Sequence, residues 1–304
     1  MSQSFRHSRV PVLSLIAAAA CWGVATVISK RAVDEIDPLT LLPIELTVSV
    51  AALTIATTIT KNRLSWNPEL RRLALLGALN PGVAYALSLA GLAHVTASVS
   101  VLLWAIEPIL ILAFAYTILR ERVPLATAVS ASIALAGVAL VVYQPGNRAS
   151  PLGIILTVAG VASCAIYTIL SSKLLADTST LSVVLLQQIA ALLVAIALFA
   201  GSHIFGNPSA LRTVSPTAWW SAGVAGILYY GLAFCFYVNG LKHVTASHAG
   251  VFINLVPLFG IAASFIALGE RLTTQQWIGA TIVIAAVTSV STRHQQSEIT
   301  SAQQ

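Results

Sequence analysis

Ionisable side chains are scarce in this sequence, so the few that interrupt its apolar runs are the first candidates for chemistry. Glu107 is the clearest of them. It follows Ser100 by seven residues and Trp104 by three, spacings that place all three on one helix face. A carboxylate in apolar surroundings is costly unless something meets it. It could receive a cationic group such as an ammonium, or carry a proton. It could equally be a structural link held by neighbouring hydroxyls. Glu45 and Gln188 are further polar groups set inside apolar runs. They could form gates or cavity walls, or simply mark helix ends.

Aromatic residues supply the second kind of signal. Tyr230, Phe234 and Tyr237 are spaced i, i+4 and i+7, one stripe of a helix. Such a stripe serves packing as readily as binding. Trp22, Tyr85, Trp104, Phe234 and Tyr237 together would suit an apolar or aromatic body. Asn80, Ser100, Cys164, Tyr167, Gln188, Tyr230 and Asn254 could add polar contacts to the same cavity. Asn254 is near mid-depth, but its position does not pair with that of Glu107. Asn80-Pro81-Gly82 could loosen a helix and free backbone carbonyls, and Pro81, Pro108 and Pro257 are candidate bend sites. Lys30 and Lys173 could attract a carboxylate; as residues at the ends of apolar runs they could also snorkel to an interface. His248 is a weaker proton-relay candidate. Cys21, Cys164 and Cys235 form no disulfide framework and no metal motif, and read as small packing residues.

The elements that must position these groups follow from composition. Of 304 residues, 57% are apolar and 9% charged, and mean hydropathy is +0.88. A water-facing surface needs far more charge, about 25% in ordinary soluble proteins. The bilayer is the solvent that fits. The formal charge of +6 does not indicate nucleic acid, because the basic residues sit in small groups between apolar runs.

Ten apolar segments are expected to span, at about 12–32, 39–59, 70–92, 96–118, 124–143, 151–173, 181–201, 217–239, 245–268 and 273–291. Each has the roughly 20 residues a helix needs to cross hydrocarbon. No cleavable leader is expected at the start. With the N-terminus inside, Lys and Arg divide eleven inside to five outside, which places both termini in the cytoplasm. The first five spans divide eight to two and the rest three to three, so the first half sets the orientation.

The pentapeptide HVTAS occurs at 94–98 and again at 243–247. At this offset of 149, GLAHVTAS overlies GLKHVTAS, Pro108 overlies Pro257, and RERV from Arg120 overlies GERL from Gly269. Upstream the offset is 143, pairing Cys21 with Cys164, Lys30 with Lys173 and Glu45 with Gln188. Two homologous five-span halves are expected, at 1–143 and 151–292, joined by a linker at 144–150 and followed by a cytoplasmic tail at 293–304. Five is odd, so the second half must enter the membrane inverted. Inverted repeats are a plan of secondary transporters, whose halves exchange conformation to alternate access to a central site. Glu107 overlies Val256, so the fold itself does not demand a carboxylate there.

AACWGVATVISKRA at 19–32, EPILILAFAYTILRERV at 107–123 and VPLFGIAASFIALGERLTTQQWIGATIVIAAV at 256–287 resemble the EamA-type exporters of the drug/metabolite transporter superfamily. The chain looks most like their aromatic amino-acid exporter (YddG-type) branch. The resemblance implies an all-α integral membrane protein of ten transmembrane helices in two inverted-topology five-helix repeats. It implies export of amino acids or related small metabolites across the inner (plasma) membrane, with multidrug, cationic-compound or nucleoside export as alternatives. The expected partners are a small-molecule substrate and lipid, with no nucleic acid, no obligate protein partner and no cofactor or metal; a monomer suffices. A membrane-embedded enzyme is disfavoured, since the sequence has no HExxH, no phosphate-binding Gly-Lys-Ser/Thr loop and no second acidic cluster beside DEID at 34–37. A channel would be built around polar rings rather than inverted halves.

Overall fold

The structure, a computed structural model, describes residues 2–61, 68–118, 125–142, 150–171, 179–205, 214–242, 252–253 and 255–302. Every regular element among these is helical. Helix α1 spans Ser2–Val33 and α2 spans Pro38–Ile59. The chain turns between them because Asp37 caps α2, accepting from the Leu39 N–H, while Pro38 takes the first helical position where no N–H is needed. The next run is interrupted. Helix α3 (Pro68–Leu76) passes into a π-helical turn at Ala78–Val83 before α4 (Ala84–Leu92). Asn80 leaves helical geometry (φ −140°, ψ 117°) ahead of a cis bond to Pro81. Proline excludes helical geometry from the residue before it and cannot donate.

Helix α5 (Ala97–Trp104) is capped by Thr96, which accepts from the Val99 N–H, and α6 begins after a short break at Glu107, running to Ile118. Then come α7 (Leu125–Val142), α8 (Pro151–Ser171) and α9 (Thr180–Phe205). Helix α10 (Pro216–Ala225) leads through a second π-helical turn, Gly226–Leu232, into α11 (Ala233–Leu241). Helices α12 (Val256–Leu268) and α13 (Thr274–Ala302) complete the described chain. Each of the three prolines singled out in the sequence lies at a break or start: Pro81 in the first π turn, Pro108 just after the α5–α6 break, Pro257 in the first turn of α12.

Among the described residues six helical stretches are long and apolar enough to cross a membrane: Val10–Val33, Pro38–Ile59, Pro68–Leu92, Pro151–Ser171, Thr180–Ile204 and Pro216–Gly240. Shorter apolar helices occupy Ala97–Ile111, Ser132–Val141 and Val256–Leu268. Outward-facing Leu193, Ile204 and Ile266 are largely exposed on the protein, an outer surface suited to hydrocarbon rather than water. Hydroxyls on α2 are hidden locally: Thr47, Thr54 and Thr57 each donate to the carbonyl four residues back. The chain is a multi-span membrane protein.

The helices interlock across the sequence. α4 packs along α8 and α11 along α1, α2 lies against α9, and α7 against α13. Small residues set the closest approaches. A Cβ on Gly77 would strike the Gln187 backbone of α9, and one on Gly226 would strike the Glu45 backbone of α2. These two glycines are 149 residues apart, the spacing of the repeat.

Candidate functional site

The two π turns, the α5–α6 break and the start of α12 converge on one cavity. Trp22 and Thr26 enter from α1, Asn80 and Tyr85 from the first π turn and α4, and Trp104 and Glu107 from either side of the α5–α6 break. Cys164, Tyr167 and Thr168 come from α8, Tyr229 from the second π turn, Phe234 and Tyr237 from α11, and Pro257 from α12. Both halves of the sequence therefore line it.

Glu107 is its one carboxylate among the described residues. It is 7% exposed, and its Oε1 accepts from the Cys164 thiol at 3.3 Å and the Thr168 hydroxyl at 3.4 Å. No described residue donates to its Oε2. The helix break at Ala105–Ile106 explains why this group can face a cavity at all: two residues leave α-helical pairing and redirect the chain. Around it stands a wall of rings. Trp22 meets Phe234 at 5.5 Å and Tyr237 at 5.2 Å, both edge to face. Tyr85 meets Trp104 at 5.5 Å and Tyr229 at 5.0 Å. Such contacts hold the rings in fixed orientation. Two polar atoms in this wall make no hydrogen bond to the protein: the indole Nε1 of Trp22 and the amide Oδ1 of Asn80.

The structure brings together Trp22, Asn80, Tyr85, Trp104, Glu107, Cys164, Tyr167, Phe234, Tyr237 and Pro257 from among the residues singled out in the sequence. It places others elsewhere. Ser100 and Tyr230 line a smaller adjoining recess, which shares Trp104, Tyr85, Thr26 and Tyr229 with the main cavity. The helix face expected to join Ser100 to Glu107 does not extend through the break, and Trp104 alone of the earlier pair reaches both spaces. Gln188 is fully buried and donates through Nε2 to the Tyr230 carbonyl at 3.0 Å. Glu45 is not at a helix end. It is fully buried two turns into α2, where Ser29 Oγ donates to Oε1 at 2.8 Å. Lys30 points away from the cavity, donating to the Leu92 carbonyl at 3.1 Å and pairing with Asp34 at 2.8 Å. Lys173, Asn254, His248 and the second HVTAS lie outside the described residues.

Sequence reasoning missed Tyr229, Thr26 and Thr168. The aromatic stripe expected from Tyr230 through Tyr237 assumed an unbroken α-helix. The π turn carries an extra residue, so the ring that faces the cavity ahead of Phe234 is Tyr229. Nothing in the sequence spacing marks such a turn. Thr26 and Thr168 could have been found, since each lies one turn from a residue already chosen, Trp22 and Cys164.

A helical membrane protein with a ring-walled cavity around Glu107 can hold a small molecule within the membrane. The model of the EamA-like transporter family matches residues 9–143 and again 151–292, and the chain belongs to that family. Among curated relatives it is 24% identical over 271 residues to an uncharacterized transporter of Archaeoglobus fulgidus, covering 88% of this chain and 93% of that one. It is 25% identical over 211 residues to the uncharacterized transporter YyaM of Bacillus subtilis, covering 68% of each. A solved crystal structure superposes with a TM-score of 0.66 at 19% identity, over 93% of this chain and 96% of that one, which shows a shared fold.

Proposed function

We propose that this chain is a ten-span secondary carrier of the inner (plasma) membrane that exports small amine-bearing metabolites, neutral and aromatic amino acids first, by alternating access. The observation that carries this reading is the lone carboxylate of Glu107 set in a cage of aromatic rings. The carboxylate suits a substrate ammonium, the rings suit an apolar or aromatic body, and the free Trp22 N–H and Asn80 oxygen suit the polar atoms between them. On this reading Glu45, Lys30 and Lys173 act at the gates rather than on the substrate. Pro81, Pro108 and Pro257 mark the bends about which half-helices move.

The inverted five-plus-five arrangement, with halves at 1–143 and 151–292 and both termini cytoplasmic, is supported by how the packing pairs up. Exchanging each helix for its repeat counterpart turns α4 against α8 into α11 against α1, and the contact of the first π turn with α9 into that of the second with α2. The pairs α2 with α9 and α7 with α13 map onto themselves. Two halves related in this way can swap conformations around a site they share.

A second reading, export of organic cations, is favoured by one observation: among the described residues no Lys or Arg lines the cavity to meet a substrate carboxylate. Counterflow in proteoliposomes tests both. Labelled tryptophan, phenylalanine and threonine are compared with tryptamine and phenylethylamine, each against unlabelled solute inside. Saturable exchange of the amino acids supports the first reading, and exchange of the amines alone supports the second. Glu107→Gln is expected to weaken exchange at least about tenfold, because a charge-assisted hydrogen bond contributes about 1.5–3 kcal/mol. Undiminished exchange by that variant removes Glu107 from the site.

A further inference from the structure

At one end of the molecule, where α1, α4, α9 and α12 finish and α2, α5, α10 and α13 begin, three polar contacts tie the first half to the second. Glu270, just past α12, accepts from the N–H groups of Ala97 at 3.0 Å and Ser98 at 2.9 Å and from the Ser98 hydroxyl at 2.6 Å. Ser98 also shares a 2.7 Å hydrogen bond with the Ser264 hydroxyl of α12. Arg31 at the end of α1 donates to the Ala267 carbonyl at 2.5 Å. Glu35 accepts from the N–H and the hydroxyl of Ser215, both at 2.8 Å, at the start of α10. Each bond crosses from one half to the other.

Two of these contacts sit on helix N-termini, where a carboxylate satisfies orphan N–H groups and faces the positive end of the helix. That placement gives HVTAS a specific task. Its threonine caps α5, and its Ala-Ser pair presents two N–H groups and a hydroxyl to a carboxylate arriving from the other half. The sequence repeats the carboxylate and the pair that receives it, since Glu121 overlies Glu270 and Ala246-Ser247 overlie Ala97-Ser98, though Ser264 overlies Ala115. The other two contacts have no such counterpart. Arg31 overlies Leu174 and Glu35 overlies Thr178, side chains that can neither donate to a carbonyl as a guanidinium does nor accept as a carboxylate does.

We propose that Glu270, Arg31 and Glu35 form an inter-half clasp that shuts this end of the carrier, and that the unrepeated Arg31 and Glu35 contacts make the end-closed state the resting one. One contact, Glu270 on Ala97 and Ser98, has its residues repeated in the sequence. The other two bias the choice. On the carrier assignment, opening this end requires all three to part together, which makes these residues positioning groups for the transport cycle although none touches the cavity.

The experiment is a distance measurement that does not depend on knowing the substrate. Spin labels at His94 and Thr274, exposed positions on opposite sides of the clasp that contribute no side-chain hydrogen bond to it, are placed in a cysteine-substituted chain in lipid. Pulsed dipolar spectroscopy then reads their separation. The otherwise unaltered chain is expected to show a dominant short distance. Glu270→Ala is expected to raise the ratio of long to short distances about tenfold, and Arg31→Ala with Glu35→Gln to do so without touching the latch. Ser98→Ala, which removes one hydroxyl and keeps the backbone bonds, gives a smaller shift in the same direction and covers the case where a larger change impairs folding. Distances unchanged in all of these variants overturn the clasp. Shifted distances in a protein that exchanges none of the amine panel uphold the clasp while removing the substrate reading.

Discussion

At the scale of single residues, the proposed function rests on polar groups set where apolar ones are expected. Glu107 is one such group and Trp104 its aromatic neighbour, the ring that spans the main cavity and the adjoining recess. Trp104→Ala is expected to weaken exchange of aromatic substrates about tenfold while changing that of threonine little. Truncating a large ring costs several kcal/mol only when something packs on it; equal losses across the panel would mean a folding defect instead. Outside the membrane Glu35 is the informative titrating group. The Ser215 N–H and hydroxyl hold its carboxyl below the ordinary value of 4.5. A lowered pKa means the bond is present above that ordinary value and lost as pH falls through the lowered one. The protection factor of the Ser215 amide, its exchange rate relative to an unstructured amide at the same pH, should therefore be steady from about pH 5 upward and fall in stronger acid. Glu35→Gln should abolish the acid step.

At the scale of elements, what was legible in the sequence and what was not divide along physical lines. Apolar length revealed the long helices, because hydrocarbon imposes it. Proline marked the breaks at 81, 108 and 257, since a missing N–H is visible in the letters themselves. The second π turn, Gly226–Leu232, was invisible, because it holds no proline and an extra residue per turn leaves no signature in composition, and with it went the correct facing of Tyr229 and Tyr230. The burial of Glu45 was also hidden: it depends on the close approach of Gly226 to its backbone and of Ser29 to its carboxylate. That approach predicts a sharp contrast. Gly226→Ala must displace the α2 backbone and is expected to destabilise by about 1–3 kcal/mol. Gly223→Ala, one turn earlier with nothing within 4 Å, should be neutral or slightly stabilising, as alanine favours helices. Thermal unfolding in detergent separates the two, and equal effects would mean the α2 contact is soft.

At the scale of the whole molecule, one carboxylate serves a cavity that two similar halves enclose, with Val256 in the position that mirrors Glu107. On the proposed cycle the halves share the labour of moving while the first alone supplies the charge. A mirrored exchange, Glu107→Val with Val256→Glu, tests how far the sharing goes: substrate exchange retained above the level of Glu107→Val alone would mean the site reads charge from either half. The unpaired Trp22 N–H and Asn80 oxygen have a practical consequence. Both are buried donors or acceptors that the protein itself leaves unmet, so a molecule that supplies the complementary atoms stabilises the folded state by mass action, about 2.7 kcal/mol at a hundred times its dissociation constant. A melting-temperature screen over unlabelled metabolites would thus let the carrier select its own cargo before any flux is measured.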